Sequence, residues 1–319
     1  MSKKEVRKID VRDEHNDFET FIPVGILEGE ASGPTLTVIA GVHGSEYAAL
    51  EGVHRFWESL DETAIAGTVN VVLVADVTAA AHHQHYTNPV DGKNLNRVWP
   101  GKEDGTLTEV ITHTITQEFV HGADAVVDCH GGEFDEFIDL FTITHSSGDE
   151  ELDRRTEAFA MDLGLPFVEV TDAHGEVLGS GTGAAEAVKS GRPAVTLETG
   201  GRGEMNERHI DATYVALRNA LRHLDMVDGE PALFAGEPIK IDHGILLSSD
   251  HQGLYDPVAE IGGWIEEGDD FAVVRDFDGT ELQRIRAPES GVVLDVVHGR
   301  LIREDGFVGK IGVLPRQVE

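Results

Sequence analysis

The sequence predicts an α/β protein, a mostly parallel sheet with helices on both faces, followed by a smaller all-β unit. Three observations carry this. From Pro34 to about Leu224, short apolar runs alternate with amphipathic stretches. The runs are β-branched and nearly continuous in apolar character, as strands buried on both faces must be. Beyond Gly229-Glu230-Pro231 the amphipathic stretches stop, and strand-like runs are broken about every 8 to 12 residues by turn signals.

In chain order, Leu36-Thr37-Val38-Ile39-Ala40 is the first strand and residues 47–60 the helix that follows it. The second strand is Val69-Asn70-Val71-Val72-Leu73-Val74, with a helix over 108–121. Ala125-Val126-Val127 is the third, followed by a helix over 152–163, and Ala194-Val195-Thr196-Leu197 the fourth, followed by a helix over 210–224. Each run is too short for a helix, and the alternation places helices on both faces of one sheet. After residue 230, Gly262-Gly263, Glu267-Gly268-Asp269-Asp270, Asp278-Gly279, Ser290-Gly291, His298-Gly299 and Asp305-Gly306 mark the turns of the β unit. The expected division is a catalytic domain over 1–230 and an all-β domain over 231–319. A chain of 319 residues is long enough to bury a sizeable core in each.

The charge balance narrows the partners. Lys and Arg total 25 against 59 Asp and Glu, a net charge of −34. A field of that sign repels nucleic acid and anionic membrane surfaces. The acids are spread along the chain, and the bases are mostly Arg, a pattern that fits a protein kept soluble in strong salt and so a halophilic source. Cys129 is the single cysteine, so no intrachain disulfide forms and a reducing compartment is expected. MSKKEVRKID is followed by no apolar signal stretch, and no run approaches the roughly 18 apolar residues of a membrane span. The expectation is a cytoplasmic protein; a homo-oligomer is left open.

In open α/β sheets, ligands bind beyond the carboxyl ends of the strands. The residues just past each strand are therefore the informative ones. The first strand leads into Gly41-Val42-His43-Gly44-Ser45-Glu46, and the second, after a His-rich stretch, into Asn88-Pro89-Val90-Asp91-Gly92-Lys93-Asn94-Leu95-Asn96-Arg97. The third ends in Asp128-Cys129-His130-Gly131-Gly132 and the fourth in Glu198-Thr199-Gly200-Gly201. His43 and Glu46, three apart at the opening of a helix, can reach one point, and His130 supplies a third ligand from another strand end. Two His and one Glu with a fourth position left to water is a catalytic zinc set. A lone H-x-x-E also arises by chance, and His43 could simply cap the helix. The matching strand ends are what favour the metal.

Glu198 follows a buried run, where an ionised carboxylate is costly without compensation. Beside a metal it can take a proton from the attacking water and deliver it to a leaving amine. Arg97 is a rigid fork suited to a substrate carboxylate, and Asn96 can hold its other oxygen. Asn94 reads as turn chemistry. Asp128 either orients the His130 imidazole or forms a structural salt bridge. His82, His83 and His85 read as solvated surface, and Cys129 as a buried inert thiol. Gly179-Ser180-Gly181-Thr182-Gly183 reads as a flexible loop. There is no H-E-x-x-H, G-x-S-x-G, Walker A loop or C-x-x-C.

Taken together and in this order, Gly41-Val42-His43-Gly44-Ser45-Glu46, Asn94-Leu95-Asn96-Arg97, Asp128-Cys129-His130-Gly131-Gly132 and Glu198-Thr199-Gly200 resemble the aspartoacylase/succinylglutamate desuccinylase family of the zinc carboxypeptidase-like superfamily. The resemblance covers about residues 35 to 225. It implies the zinc-carboxypeptidase-like fold and one zinc ion per chain held by His43, Glu46 and His130. It also implies Glu198 as general base and acid, with Asn96 and Arg97 on the carboxylate of a small-molecule substrate. The implied reaction is hydrolysis of an N-acyl amino acid. Residues 262–269 and 285–293 resemble the family's lipoyl/biotinyl-like hybrid barrel, without a Lys where a covalent cofactor attaches. In one respect the chain departs from the pattern. Some members place an additional Arg just before N-L-N-R to polarise the scissile carbonyl, whereas here no Arg lies between Arg55 and Arg97. His82, His83, His85, Tyr86 and Lys93 are the candidates for its place, or the metal acts without such help. The rival expectations are a metallocarboxypeptidase-like peptidase and a catalytically inactive binding protein.

Overall fold

The computed structural model describes residues 3–174 and 181–315. In chain order the first half contains β1 (Lys3–Asp13), β2 (Phe18–Glu28), β3 (Ala31–Ala40), α1 (Tyr47–Ser59), β4 (Ala66–Val72), α2 (Val77–His82), α3 (Leu107–Ile115), β5 (Ala125–His130), β6 (Glu136–Ser146) and α4 (Glu150–Asp162). Then come β7 (Phe167–Asp172), α5 (Gly183–Lys189), β8 (Ala194–Gly201) and α6 (Glu207–His223). The C-terminal region is all β: β9 (Ile239–Lys240), β10 (His243–Ser248), β11 (Gly253–Pro257), β12 (Trp264–Ile265), β13 (Asp270–Arg275), β14 (Glu281–Arg286), β15 (Gly291–Val297), β16 (Leu301–Ile302) and β17 (Phe307–Val313).

The main sheet runs β1-β2-β4-β3-β5-β8-β6-β15-β17-β10. Its centre, β4-β3-β5-β8, is parallel, and its flanks are antiparallel. The four predicted apolar runs are those four central strands. Period-two alternation divides each between two cores. Leu36, Val38, Ala125, Val127 and Cys129 face the layer of α1, α4 and α6. Ile39 and Val126 face the opposite layer with α3 and α5. All six residues of β5 are buried, so its apolar run is continuous until Asp128 and His130 at the carboxyl end.

Local chemistry fixes the helix starts. Asp149 caps α4 through the Glu151 and Leu152 amides, Asn206 caps α6 through Arg208, and Thr106 with Glu109 forms a capping box on α3. The N-terminal hairpin β1–β2, β6, β7 and α5 were not anticipated. β1 is amphipathic and largely exposed, and β6 mixes Asp, Thr and His into its apolar run, so neither carries the pattern of a doubly buried strand. The C-terminal strands do not stand apart from the sheet. β15 hydrogen-bonds to β6 through Glu136–Val297, Phe137–Val296 and Ile138–Asp295. A second sheet, β14-β13-β11-β16, encloses its own core with Tyr255 and Phe271. Among the described residues no helix is long and apolar enough to cross a membrane.

Candidate metal centre and active site

The site stands at the carboxyl ends of the central strands. After β3, Gly41 adopts φ 65°, a backbone that disfavours side chains, and turns the chain into the loop bearing His43. Glu46 immediately precedes α1. His130 is the last residue of β5, and its register partner across the sheet is Glu198 of β8. The next residue is glycine by necessity: a Cβ on Gly131 would lie 2.5 Å from the Thr199 carbonyl oxygen.

His43, Glu46 and His130 are all buried. His43 Nδ1 lies 2.7 Å from Glu46 Oε1, and His130 Nδ1 lies 3.2 Å from Glu46 Oε2. The candidate ligand atoms all fall within 4.8 Å of one another. The far nitrogens of both rings are also engaged. Asn94 Oδ1 already accepts the Asn96 amide at 2.7 Å and can only accept, so His43 donates to it from Nε2 at 3.1 Å. Asp128 Oδ1, wholly buried, stands 3.2 Å from His130 Nε2 and draws the proton there. Both imidazoles therefore turn Nδ1 toward the Glu46 carboxylate, whose Oε2 has no hydrogen-bond partner. A buried carboxylate between two imidazole nitrogens requires positive charge at that point, which protons or a metal ion can supply. Two imidazole nitrogens and a carboxylate are the donor set of zinc, and the residues present fit that ion.

The protonation states agree with this use. Burial opposes the charge on Glu46, but His130 and His43 overcome it and hold the carboxyl at about 2. Glu198 is pushed the other way. Burial raises its carboxyl to about 7, and its Oε2 has no partner. A carboxyl poised near neutrality can both accept and return a proton. Cys129 is fully buried, and burial pushes its thiol well up, which leaves it inert as expected.

One cavity of about 480 Å³ is lined by His43, Glu46, His130, Glu198, Asn96 and Arg97, so all six predicted residues meet in one place. Arg97 donates from Nη1 to the Asn96 carbonyl at 2.6 Å, and among the described residues no carboxylate pairs with it. Asn96 Nδ2 lies 3.5 Å from His130 Nε2. His82, His83 and His85 do not line the cavity. Their partners are the Thr78 carbonyl at 2.8 Å, the Tyr47 hydroxyl at 2.7 Å and Asp135 at 3.3 Å. Lys93 pairs with Glu109 at 2.6 Å. Of the candidates for the missing Arg, only Tyr86 reaches the cavity, where its hydroxyl donates to Glu136. Of the glycine-rich segment, Gly179 and Ser180 lie outside the described residues, while Thr182 caps α5 through the Ala185 amide.

Among the cavity residues to which the sequence did not point are Glu136, His145, Leu246, Asp295 and Lys310. A signal existed for two. Asp295 interrupts Val292-Val293-Leu294-Asp295-Val296-Val297 and Lys310 interrupts Val308-Gly309-Lys310-Ile311, and a lone charge in an apolar run is costly unless it has a task. Asn94 was given to the turn alone; it also orients His43.

Fold and site together define an amide-bond hydrolase. The chain belongs to the succinylglutamate desuccinylase/aspartoacylase catalytic domain family, whose model matches residues 32–224. It is similar to the N-alpha-acetyl-L-2,4-diaminobutyric acid deacetylase of Halomonas elongata, 28% identical over 281 residues that cover 85% of this chain and 80% of the relative. A succinylglutamate desuccinylase from Silicibacter sp. TM1040 superposes with a TM-score of 0.87 at 24% identity, covering 98% of this chain and 95% of the other. The product-bound ectoine utilization protein EutE from Ruegeria pomeroyi superposes with a TM-score of 0.86, also at 24% identity and the same coverage. At that identity these two likenesses speak for the fold.

Proposed function

We propose that this protein deacylates a small N-acyl amino acid with one zinc ion held by His43 Nδ1, the Glu46 carboxylate and His130 Nδ1. When bound, zinc supplies a Lewis acid that acidifies water and polarises the acyl carbonyl. Arg97 and Asn96 hold the substrate's carboxylate and so fix the amide beside Glu198. Glu198 takes a proton from water as the water oxygen bonds to the acyl carbon. The same carboxyl returns that proton to the nitrogen as the C–N bond breaks, releasing the amine and a carboxylic acid. Tyr86 gives its single hydroxyl proton to Glu136, so polarising the carbonyl is left to the bound ion without the missing Arg. The deacetylase of Halomonas elongata makes N-α-acetyl-2,4-diaminobutyrate the first substrate to try. We place the catalytic part in residues 1–230 and a cavity-shaping β part in 231–319, in a cytoplasmic enzyme of a salt-rich source.

The observation that carries this reading is the convergence of two buried imidazole Nδ1 atoms on the Glu46 carboxylate, beside the Glu198 carboxyl raised to about 7. Glu198→Gln is the test. Zinc content stays at one per chain and hydrolysis falls about 10²- to 10⁴-fold. Native protein without stoichiometric metal, or a fully active Glu198→Gln, refutes the reading.

A further inference from the structure

One end of the cavity is acidic in a way the hydrolytic steps do not use. Glu198 is in register with Phe141 of β6, and Asp295 of β15 is in register with Ile138, closer to the start of the same strand. Glu136 opens that strand and lines the same end. Asp295 is 7% exposed, and its Oδ1 is buried without a hydrogen-bond partner. Two carboxylates in a buried wall repel each other and lose their hydration, so each needs compensation.

The protein supplies little of it. The Tyr86 hydroxyl donates to Glu136 but brings no charge. Lys310 neighbours Asp295 across β15 and β17, yet its ammonium is engaged by the buried Glu169. Glu169 and Lys310 cancel, and among the described residues Glu136 and Asp295 face the cavity with no cationic partner of their own. Burial, then Glu136 and Glu198, push the Asp295 carboxyl well up, so a cation entering here restores its ionised form.

The substrate's substituents can be distributed accordingly. Its carboxylate belongs at Arg97 and its amide at Glu198. The acyl group and the side chain share the remaining space, and a short neutral acyl group gains nothing from two buried acids. We infer that Asp295 and Glu136 form a subsite for a cationic side chain, so that this enzyme selects N-acyl amino acids bearing an ammonium group over neutral or acidic ones. This rests on the deacylase reading above.

The test compares N-α-acetyl-2,4-diaminobutyrate with N-acetylnorvaline, which carries a methyl where the first has its ammonium. The zinc-loaded enzyme favours the cation in kcat/KM by about 30-fold or more, the size set by the least cost of breaking a buried charge pair. Asp295→Asn and, separately, Glu136→Gln collapse that ratio, while zinc remains at one per chain. Calorimetry with the free amino acids 2,4-diaminobutyrate and norvaline reads the same preference without turnover. Equal use and equal binding of the cationic and neutral compounds overturns the subsite and leaves the deacylase reading standing. So does an equal loss on both amides in either variant, or loss of zinc from Asp295→Asn. Cation-selective binding that depends on Asp295, without hydrolysis of any N-acyl amino acid, supports the subsite and sinks the deacylase reading.

Discussion

Replacing Asp128 with Asn separates the orienting of His130 from the making of the fold. Asp128 is wholly buried, and its Oδ1 lies 3.2 Å from His130 Nε2. Asparagine keeps the shape and removes the charge that holds the imidazole proton on Nε2. The ring then spends part of its time with the proton on Nδ1, where it cannot bind a metal. Loss of such a partner lowers metal affinity about 10- to 100-fold, which is about 1.4 to 2.7 kcal/mol at 1.36 kcal/mol per decade. The stabilisation that saturating zinc confers falls by the same amount. The apo protein moves the other way or holds, because the substitution also removes a desolvated charge whose burial costs several kcal/mol. Competition with a chromophoric zinc chelator measures the first effect, and melting of apo and zinc-loaded protein the second. Unchanged zinc affinity, or an apo variant weakened as much as the loaded one, refutes the argument.

Three further outcomes come from other parts of the molecule. His145 is buried, and burial lowers its pKa to about 4, against about 6.5 in an unfolded chain. Its neutral form favours the fold fully above pH 6.5, and that contribution, about 3 kcal/mol, is lost as pH falls from 6.5 to 4. Urea unfolding of wild type minus His145→Gln across this range shows the loss, and a flat difference contradicts it. Phe56 is fully buried in the core beneath α1, so Phe56→Ala costs about 3–5 kcal/mol in denaturant unfolding; a loss under 1 kcal/mol means the packing there is misjudged. With a net charge of −34, the melting temperature rises as salt goes from about 0.1 M to 1 M and the screening length falls from about 10 to 3 Å. A flat or falling curve removes the case for a salt-adapted protein.

What was legible in the sequence was what physics writes locally. β3, β4, β5 and β8 are buried on both faces, so their apolar runs stand out, and the residues after them are where an α/β sheet places its chemistry. That is why His43, Glu46, Asn96, Arg97, His130 and Glu198 could be named together. The hairpin β1–β2 has a wet face and pairs through contacts that leave no periodic mark strong enough to read. β6 was missed because Asp139, Thr142, Thr144 and His145 dilute its pattern. The cavity wall from Leu246, Asp295 and Lys310 depends on long-range register between β15 and β6, which no local pattern announces. Asn94 was read as a turn residue because its first hydrogen bond is local. Its second, to His43, spans 51 residues.

The seam between β6 and β15 is only three residue pairs long, yet it divides the labour of the chain. The proposed metal donors and proton carrier all lie before residue 202, while Leu246, Asp295, Phe307 and Lys310 come from the strands beyond the seam. Substitutions downstream can therefore redraw what fits against the reacting bond without disturbing the donors, which leaves selectivity free to drift while the chemistry is inherited intact.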